Sequence, residues 1–560
     1  MALIENMDRK IKIGILTNSL QLELWKDEIL KEIQSLPYVD VCVFIKRNEI
    51  KPLTKKQKIW KFRKSIIYKI LEKIDIFLSR KLTKKHVNAF TKVDYSKTKI
   101  PLLDVYPKTT KFLDIIQEED IRKIQKHELD IILRFGFRIL KGDILNKASK
   151  YGVWSFHHGD NKVNRGGPPG FWEVIEGWKE TGCVLQKLSD DLDGGYVLSR
   201  TWVGTYKHNI IENKNRIYWR ATKIIPRLLK EIHDNGYESF YNSKKSLNSS
   251  NDFYTRKLYK APSNTKAFII LFKYTSIVLK QIFSVLFTKD QWFLLYKKGK
   301  IAPETSFRTM KKIVPPKNIF WADPFIISKN NIDYIFVEEY DFSIKKGYIS
   351  VIELFKNKIQ KVTKVIDNDY HFSYPFIFEY SNEIFMIPET SENKTVELYK
   401  CNNFPYDWSF QKNIFENISA VDTTLFYYDN TWWLFTSIDE TNKVTRNDEL
   451  FVFYANSPLD CSWIPHPMNP VVSDAKLARP AGKIFIKNNK IYRPSQDCTG
   501  VYGSSININQ IKTLDRKTYL EEHITNLKPE WDKEIKGIHT LNFNDHSTVI
   551  DGFKTMSKFF

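Results

Sequence analysis

Apolar residues fall into two rhythms along the chain. A β-branched run, Ile11-Lys-Ile-Gly-Ile-Leu-Thr, precedes a pattern of helical spacing from about Leu20 to Leu36, and a second run follows at Val39 to Ile45. That order predicts strand, helix, strand. Leu129 to Phe135 and Gly152 to His157 read as further strands around a helix-like segment from Ile139 to Ala148. The first half therefore predicts an α/β domain, Rossmann-like, with a mostly parallel sheet. Around Tyr241 to Ser263 the chain turns to Ser, Asn and Lys, which predicts a linker. Ala267 to Phe287 is apolar but broken by Lys273 and Lys280. With Ser276 and Ser284 these lysines form one polar stripe, so the segment predicts an amphipathic helix, buried or interfacial rather than spanning.

Beyond residue 290 the pattern becomes short strands and turns, and it repeats. Trp321-Ala-Asp-Pro-Phe-Ile, Ser373-Tyr-Pro-Phe-Ile-Phe, Val421-Asp-Thr-Thr-Leu-Phe and Arg479-Pro-Ala-Gly-Lys-Ile-Phe each open a unit, and an aromatic strand follows about ten residues later. Measured from Pro324, Pro375, Thr423 and Pro480, the intervals are 51, 48 and 57 residues. A period near 50 with about four short strands per unit predicts propeller blades. Gly537-Ile-His-Thr-Leu-Asn and Ser547-Thr-Val-Ile-Asp supply a less regular fifth unit. The expected layout is an α/β domain over 1–240 with a basic helical insertion at 51–92, a linker and helix over 241–290, and an all-β five-bladed propeller over 291–560.

Composition narrows the class. A chain of 560 residues is too long for one core, and 38 Phe, 28 Tyr and 14 Trp exclude disorder. Five dispersed cysteines with no Cys-x-x-Cys pair argue against a disulfide framework and a structural zinc site, and fit a reducing compartment. The first residues lack the basic-then-apolar order of a secretory signal, so a cytoplasmic protein is expected. Net charge is +22, and the stretch from Lys51 to Lys92 carries 14 Lys+Arg against Glu72 and Asp75, 14 − 2 = +12. Two readings stay open for this block: an insertion with a solvated lysine face, or a basic amphipathic helix on an anionic membrane surface at the inner face. No nucleic-acid-binding signature accompanies the charge, so nucleic acid is not an expected partner.

The segment from Gly152 contains Ser155-Phe-His157-His158, Asp160-Asn161, Arg165-Gly-Gly-Pro168-Pro and Gly170, followed by Thr181-Gly and Leu192-Asp193-Gly-Gly. In order and spacing it resembles the folate-dependent formyltransferases, of the methionyl-tRNA and sugar N-formyltransferase type, over roughly residues 11 to 235. The resemblance implies N10-formyltetrahydrofolate as formyl donor. It assigns His157 as the imidazole that stabilises the oxyanion, Asp193 as its carboxylate partner and Ser155 to the place of the family's amide donor. Phe135, Gly136, Phe137, Ile139, Leu140 and Asp193 would contact the folate, and His158, Asp160, Asn161, Arg165, Gly166 and Pro168 would form the substrate loop. The chemistry fits these residue types, because formyl transfer to an amine builds negative charge on oxygen and must remove a proton from nitrogen. A hydroxyl at 155 reaches less far than an amide, so either a neighbour, His158 or Asn161, compensates or the site has slowed or changed its reaction. No metal site is expected.

Trp321-Ala-Asp-Pro-Phe, Ser373-Tyr-Pro-Phe, Ile387-Pro-Glu-Thr, Val421-Asp-Thr-Thr, Ala478-Arg-Pro-Ala-Gly and Arg493-Pro-Ser-Gln-Asp resemble the N-terminal propeller region of plant glucosamine inositolphosphorylceramide transferases, over about residues 291 to 551. They are more distantly similar to five-bladed glycosidases. Blade starts converge on a propeller axis, so Asp323, Tyr374, Asp422, Arg479 and His539, with Glu339, Glu389, Arg493 and Asp497, are expected to line a sugar pocket. The place of the glycosidase general acid holds Arg479-Pro480, which disfavours hydrolysis. The expected function is formyl transfer to an amino group of a sugar or glycan precursor. A non-catalytic glycan-binding or assembly protein, and a glycosyl-transferring or hydrolysing propeller, are the alternatives.

Overall fold

The computed structural model describes residues 9–48, 63–82, 87–110, 112–190, 194–249, 254–299, 307–460, 462–500 and 502–558. The chain divides into two units, Met1–Val278 and Leu279–Phe560.

The first unit is built on a seven-stranded sheet of β1 (Ile11–Thr17), β2 (Val39–Arg47), β3 (Leu102–Val105), β4 (Ile131–Arg134), β5 (Val153–His157), β6 (Glu180–Lys187) and β7 (Tyr196–Gly204), in the order β7-β6-β5-β4-β1-β2-β3. Strands β1 to β5 pair in parallel, and β6 and β7 add an antiparallel edge. The sequence pattern explains the layout: β1 and β4 are nearly unbroken apolar runs, as strands covered on both faces must be. Helix α1 (Leu24–Ser35) buries Trp25, Ile29, Leu30 and Ile33, one helical stripe. The other helices among the described residues are α2 (Ile66–Leu82), α3 (Glu118–Gln125), α4 (Phe171–Glu176), α5 (Ile210–Ala221) and α6 (Ile224–Ser243), with α7 (Asn264–Phe287) beginning in the first unit and ending in the second.

Two expectations need correction. The segment from Ile139 to Ala148 is not a helix: Ile139–Leu140 is a short strand beside Leu113–Ile115, Gly142 turns the chain at φ +84°, and a 3-10 turn follows at Asp143–Leu145. The end of the Ser/Asn-rich stretch also belongs to the first unit. Tyr259 is buried in a cluster with Phe171, Trp172 and Ile175, and its backbone pairs with Gly166. A Cβ on Gly166 would sit 2.2 Å from the Tyr259 carbonyl oxygen, so only glycine fits there.

The second unit is β-rich. Sheet II runs from Ile319–Lys329 to Lys358–Ile366, sheet III from Ser373–Tyr380 to Asp407–Glu416, sheet IV from Ala420–Tyr428 to Val472–Ser473, and sheet V from Phe485–Lys487 to Tyr519–Leu527. Sheet I joins the two ends of the unit: Thr288–Lys298 pairs along its whole length with Ser547–Ser557. All five are antiparallel. Apolar side chains pack between successive sheets: Leu294 with Ile335, Phe336 with Ile377, Phe376 with Leu434, Val452 with Ile511, and Ile508 back to Ile550 of sheet I. Each such burial contributes about 1.5–3 kcal/mol.

Candidate functional sites

In the first unit, β4 and β5 run in parallel register with Arg134 opposite Ser155. The pairing sets the two side chains together, and the Arg134 guanidinium donates to Ser155 Oγ at 3.0 Å and to the carbonyls of Phe137 and Arg138. Neither expected neighbour of Ser155 takes this part. His158 stacks on Tyr218, ring centroids 3.6 Å apart, and burial holds it neutral, well below the usual histidine range. Asn161 accepts from Arg200 through Oδ1 and from Arg165 through its carbonyl. Arg134 is thus the cation at the end of this strand pair. Sequence reasoning missed it because the signal lies in the register of two strands separated by a turn and a loop.

His157, two residues beyond Ser155 on the same strand and therefore on the same face, is buried. Its Nε2 donates to the Asn164 carbonyl at 2.7 Å. The Asn164 side chain in turn donates to Glu173 of α4 at 3.0 Å. Burial pushes the Glu173 carboxyl up to about 7. Glu173 lines a cavity of about 140 Å³ with Asp160, Val163, Trp178 and Trp202. Asp160 is held by Trp202 Nε1 at 3.2 Å and Arg200 at 3.4 Å. Arg165 donates through its backbone to the Tyr254 hydroxyl, and Pro168 follows a cis peptide in the loop before α4. Asp193 lies outside the described residues.

The residues assigned to the folate donor divide. Phe135, Phe137 and Leu140 are buried, the last two in the core between the sheet and α3. A Cβ on Gly136 would meet the Asn18 backbone nitrogen at 2.5 Å. Of the five, Gly136 and Ile139 are half-buried, so the expected apolar wall of Phe135, Phe137 and Leu140 faces inward. The formyl-handling end fits better: a guanidinium beside one hydroxyl suits a developing oxyanion, and the His157 ring lies on the same face, oriented by its bond to the Asn164 carbonyl.

In the second unit three strands begin alike. Ladder register shifts at Ala322/Phe325, Ser373/Phe376 and Val421/Thr424, and the bulged residues Asp323, Tyr374 and Asp422 take φ of +51°, +42° and +54°. Bulges re-aim side chains, and non-glycine residues held at positive φ mark positions the surrounding structure over-determines. A cavity of about 240 Å³ lies beside these bulges. Asp323, Glu389, Arg479 and His539 line it as expected, together with Glu338, His371 and the rings of Trp292, Phe320, Tyr340 and Tyr502.

Asp422 and Tyr374 lie beneath this wall. Arg479 binds Asp422 through two nitrogens at 2.6 and 3.2 Å and reaches Glu389 at 3.5 Å. Burial opposes the Arg479 charge, but Asp422, Tyr502 and Glu389 outweigh it and raise its pKa. Burial likewise raises Glu389, and Arg479 with the Ser391 hydroxyl reverses this, leaving the carboxyl below its ordinary range. The Tyr374 hydroxyl accepts from the Gly482 amide.

Three expected residues lie elsewhere. Glu339 points away from the cavity, bonded by Trp321 and Tyr348, because adjacent strand residues face opposite sides and Glu338 holds the inward position. Arg493 binds Glu521 and the carbonyls of Leu477 and Ala478. Asp497 closes a turn on Thr499.

His539 Nδ1 lies 2.5 Å from Asp551, and its Nε2 is 3.7 Å from Asp323. Burial lowers its pKa, but the two carboxylates outweigh that and raise it to about 9. The ligand atoms of Asp323, His539 and Asp551 come within 4.8 Å of one another. With the imidazole protonated this is an internal ion triad, and a cation would have to displace that proton.

The first unit thus has a Rossmann-like α/β fold and the second a β-rich one. Residues 303–549 match the family model described as "Glucosamine inositolphosphorylceramide transferase 1, N-terminal". The chain is 36% identical over 210 residues to glucosamine inositolphosphorylceramide transferase 1 of Oryza sativa subsp. japonica, covering 37% of this chain but only 28% of the rice protein. It is 31% identical over 121 residues to methionyl-tRNA formyltransferase of Prochlorococcus marinus, 21% of this chain and 34% of that one. The catalytic domain of a Coprinopsis cinerea GH62 alpha-L-arabinofuranosidase is 10% identical with a TM-score of 0.32, covering 48% of this chain and 98% of that domain, a likeness too slight to bear on chemistry.

Proposed function

We propose that the chain is a carbohydrate-directed formyltransferase: the first unit moves a formyl group from N10-formyltetrahydrofolate to an amino group of a sugar, and the second, read as a five-bladed propeller, holds the glycan. The observation that carries this reading is the strand-end set of His157, Ser155 and Arg134. In it, the guanidinium supplies the hydrogen-bond donor that a neutral amide supplies in the resembling family and adds a positive charge, so Arg134 stabilises the oxygen as the amine attacks, with the His157 ring held beside it. Because Nε2 is engaged with Asn164, the His157 ring is held in one orientation, as a preorganised site requires.

The second unit is read as binding because its cavity combines rings for sugar faces with carboxylates for hydroxyls. Glu389, kept ionised by Arg479, has no proton to give a leaving oxygen, which argues against hydrolysis. The test is an assay of tetrahydrofolate release over a panel of amino sugars. Turnover that His157→Ala removes supports the reading. An activity that Asp422→Ala removes and His157→Ala spares would move the chemistry to the second unit.

A further inference from the structure

Helix α7 is 24 residues long and apolar, with Phe268, Ile269, Phe272, Leu279, Ile282 and Phe283 among its solvent-exposed side chains; Ile269 and Phe272 are each 65% exposed. By length and composition it could cross a membrane, and only 11% of its most apolar window is buried. The opposite side of its first half is committed to protein. Ala267, Ile270 and Tyr274 pack with Tyr68 and Leu71 of α2 and with Phe171 and Trp172. The Tyr274 hydroxyl donates to Asp75 of α2, and the same carboxylate accepts the Ile210 and Ile211 amides at the start of α5 at 3.0 and 2.7 Å.

That lock fixes which sides of α2 and α7 face out. On α2 the exposed large apolar residues among those described are Ile66, Ile70, Ile74 and Phe77, a helical stripe. Exposed lysines accompany both helices, Lys64 and Lys73 beside or on α2 and Lys280 on α7, while Lys266 lies over the Trp172 ring and Lys273 donates to the Ile175 carbonyl. Acidic groups are fewer: α7 has none, and α2 carries Glu72, which accepts from Tyr68, and the buried Asp75.

We propose that α2 and α7 form a platform that lies flat on an anionic lipid surface, inserting the exposed Phe and Ile side chains among the acyl chains while the lysines meet the headgroups. The charge selects lipid over a neutral apolar partner, because lysines rimming an apolar face match an anionic interface. The Asp75 lock selects lying over crossing, since a spanning α7 would carry a buried carboxylate and the start of α5 into hydrocarbon.

The test is sedimentation of the full chain with phosphatidylcholine vesicles, with and without phosphatidylglycerol. The protein should pellet with the anionic vesicles only, and be released at about 0.5 M salt as screening shortens the reach of the charges. The triple variant I269E/F272E/F283E changes only exposed positions, and its thermal transition should match wild type. Its partition onto anionic vesicles should fall at least about a hundredfold. Four results would overturn the proposal: wild type staying in the supernatant at low salt, the triple variant pelleting undiminished, membrane-bound protein resisting extraction at high pH as a spanning helix does, or a soluble dimer that the triple variant dissociates.

Discussion

At the scale of single residues, the account turns on charges held where burial alone would remove them. Replacing Arg134 by Met keeps much of the side-chain volume but removes the guanidinium from Ser155, and formyl transfer should fall about 10²–10³-fold, the usual cost of losing one oxyanion donor. Saturation kinetics check this, with the loss expected in kcat rather than KM. Asp422→Asn leaves Arg479 buried against a neutral amide, and breaking such a pair costs about 3–5 kcal/mol. Urea unfolding of the variant should show that loss in the midpoint with the slope unchanged. His539 gives a pH signature. Its folded pKa, about 9, lies above its ordinary 6.5, so its contribution is complete below pH 6.5 and fades as pH rises through 9. Thermal melts from pH 6 to 10 should show the decline, and His539→Gln should flatten it.

At the scale of elements, what the sequence made legible is what periodicity encodes. The parallel order of β1, β2, β4 and β5 and the units near residues 324, 375 and 423 follow from apolar spacing alone, and the structure has strands at each. Gly142 ended the supposed helix after residue 139, a local backbone event that apolar spacing does not register. The partner of the irregular fifth unit was Thr288–Lys298, more than 240 residues away in sequence, and no local pattern links strands so far apart. Glu339 in place of Glu338 is a one-residue error of facing, which alternation turns into a complete change of side. Helix α4 carries a prediction of its own. Burial lifts Glu173 to about 7 from 4.5, so the folded state loses stability as pH rises from about 4.5 past 7. Glu173→Gln keeps the acceptor for Asn164 without the charge and should stabilise the first unit by about 2–3 kcal/mol at pH 8. Denaturant melts at pH 5 and pH 8 decide it, the gain being small at the lower pH.

At the scale of the whole molecule, the two units have separate cores, and the two candidate sites draw on no common residue. Substitutions in one should leave the other's ligand binding unchanged, as distant sites with no shared partner behave. Asp323→Ala should weaken glycan binding and spare folate binding, while His157→Ala does the reverse for transfer. The central claim is that the first unit still takes a folate donor although Phe135, Phe137 and Leu140 face inward. Calorimetric titration of the full chain with a stable analogue of N10-formyltetrahydrofolate tests it most directly. Saturable binding at one site per chain is predicted, unchanged by Arg134→Met, whose loss lies in kcat, and by Asp323→Ala; the absence of binding by the wild-type protein would contradict it.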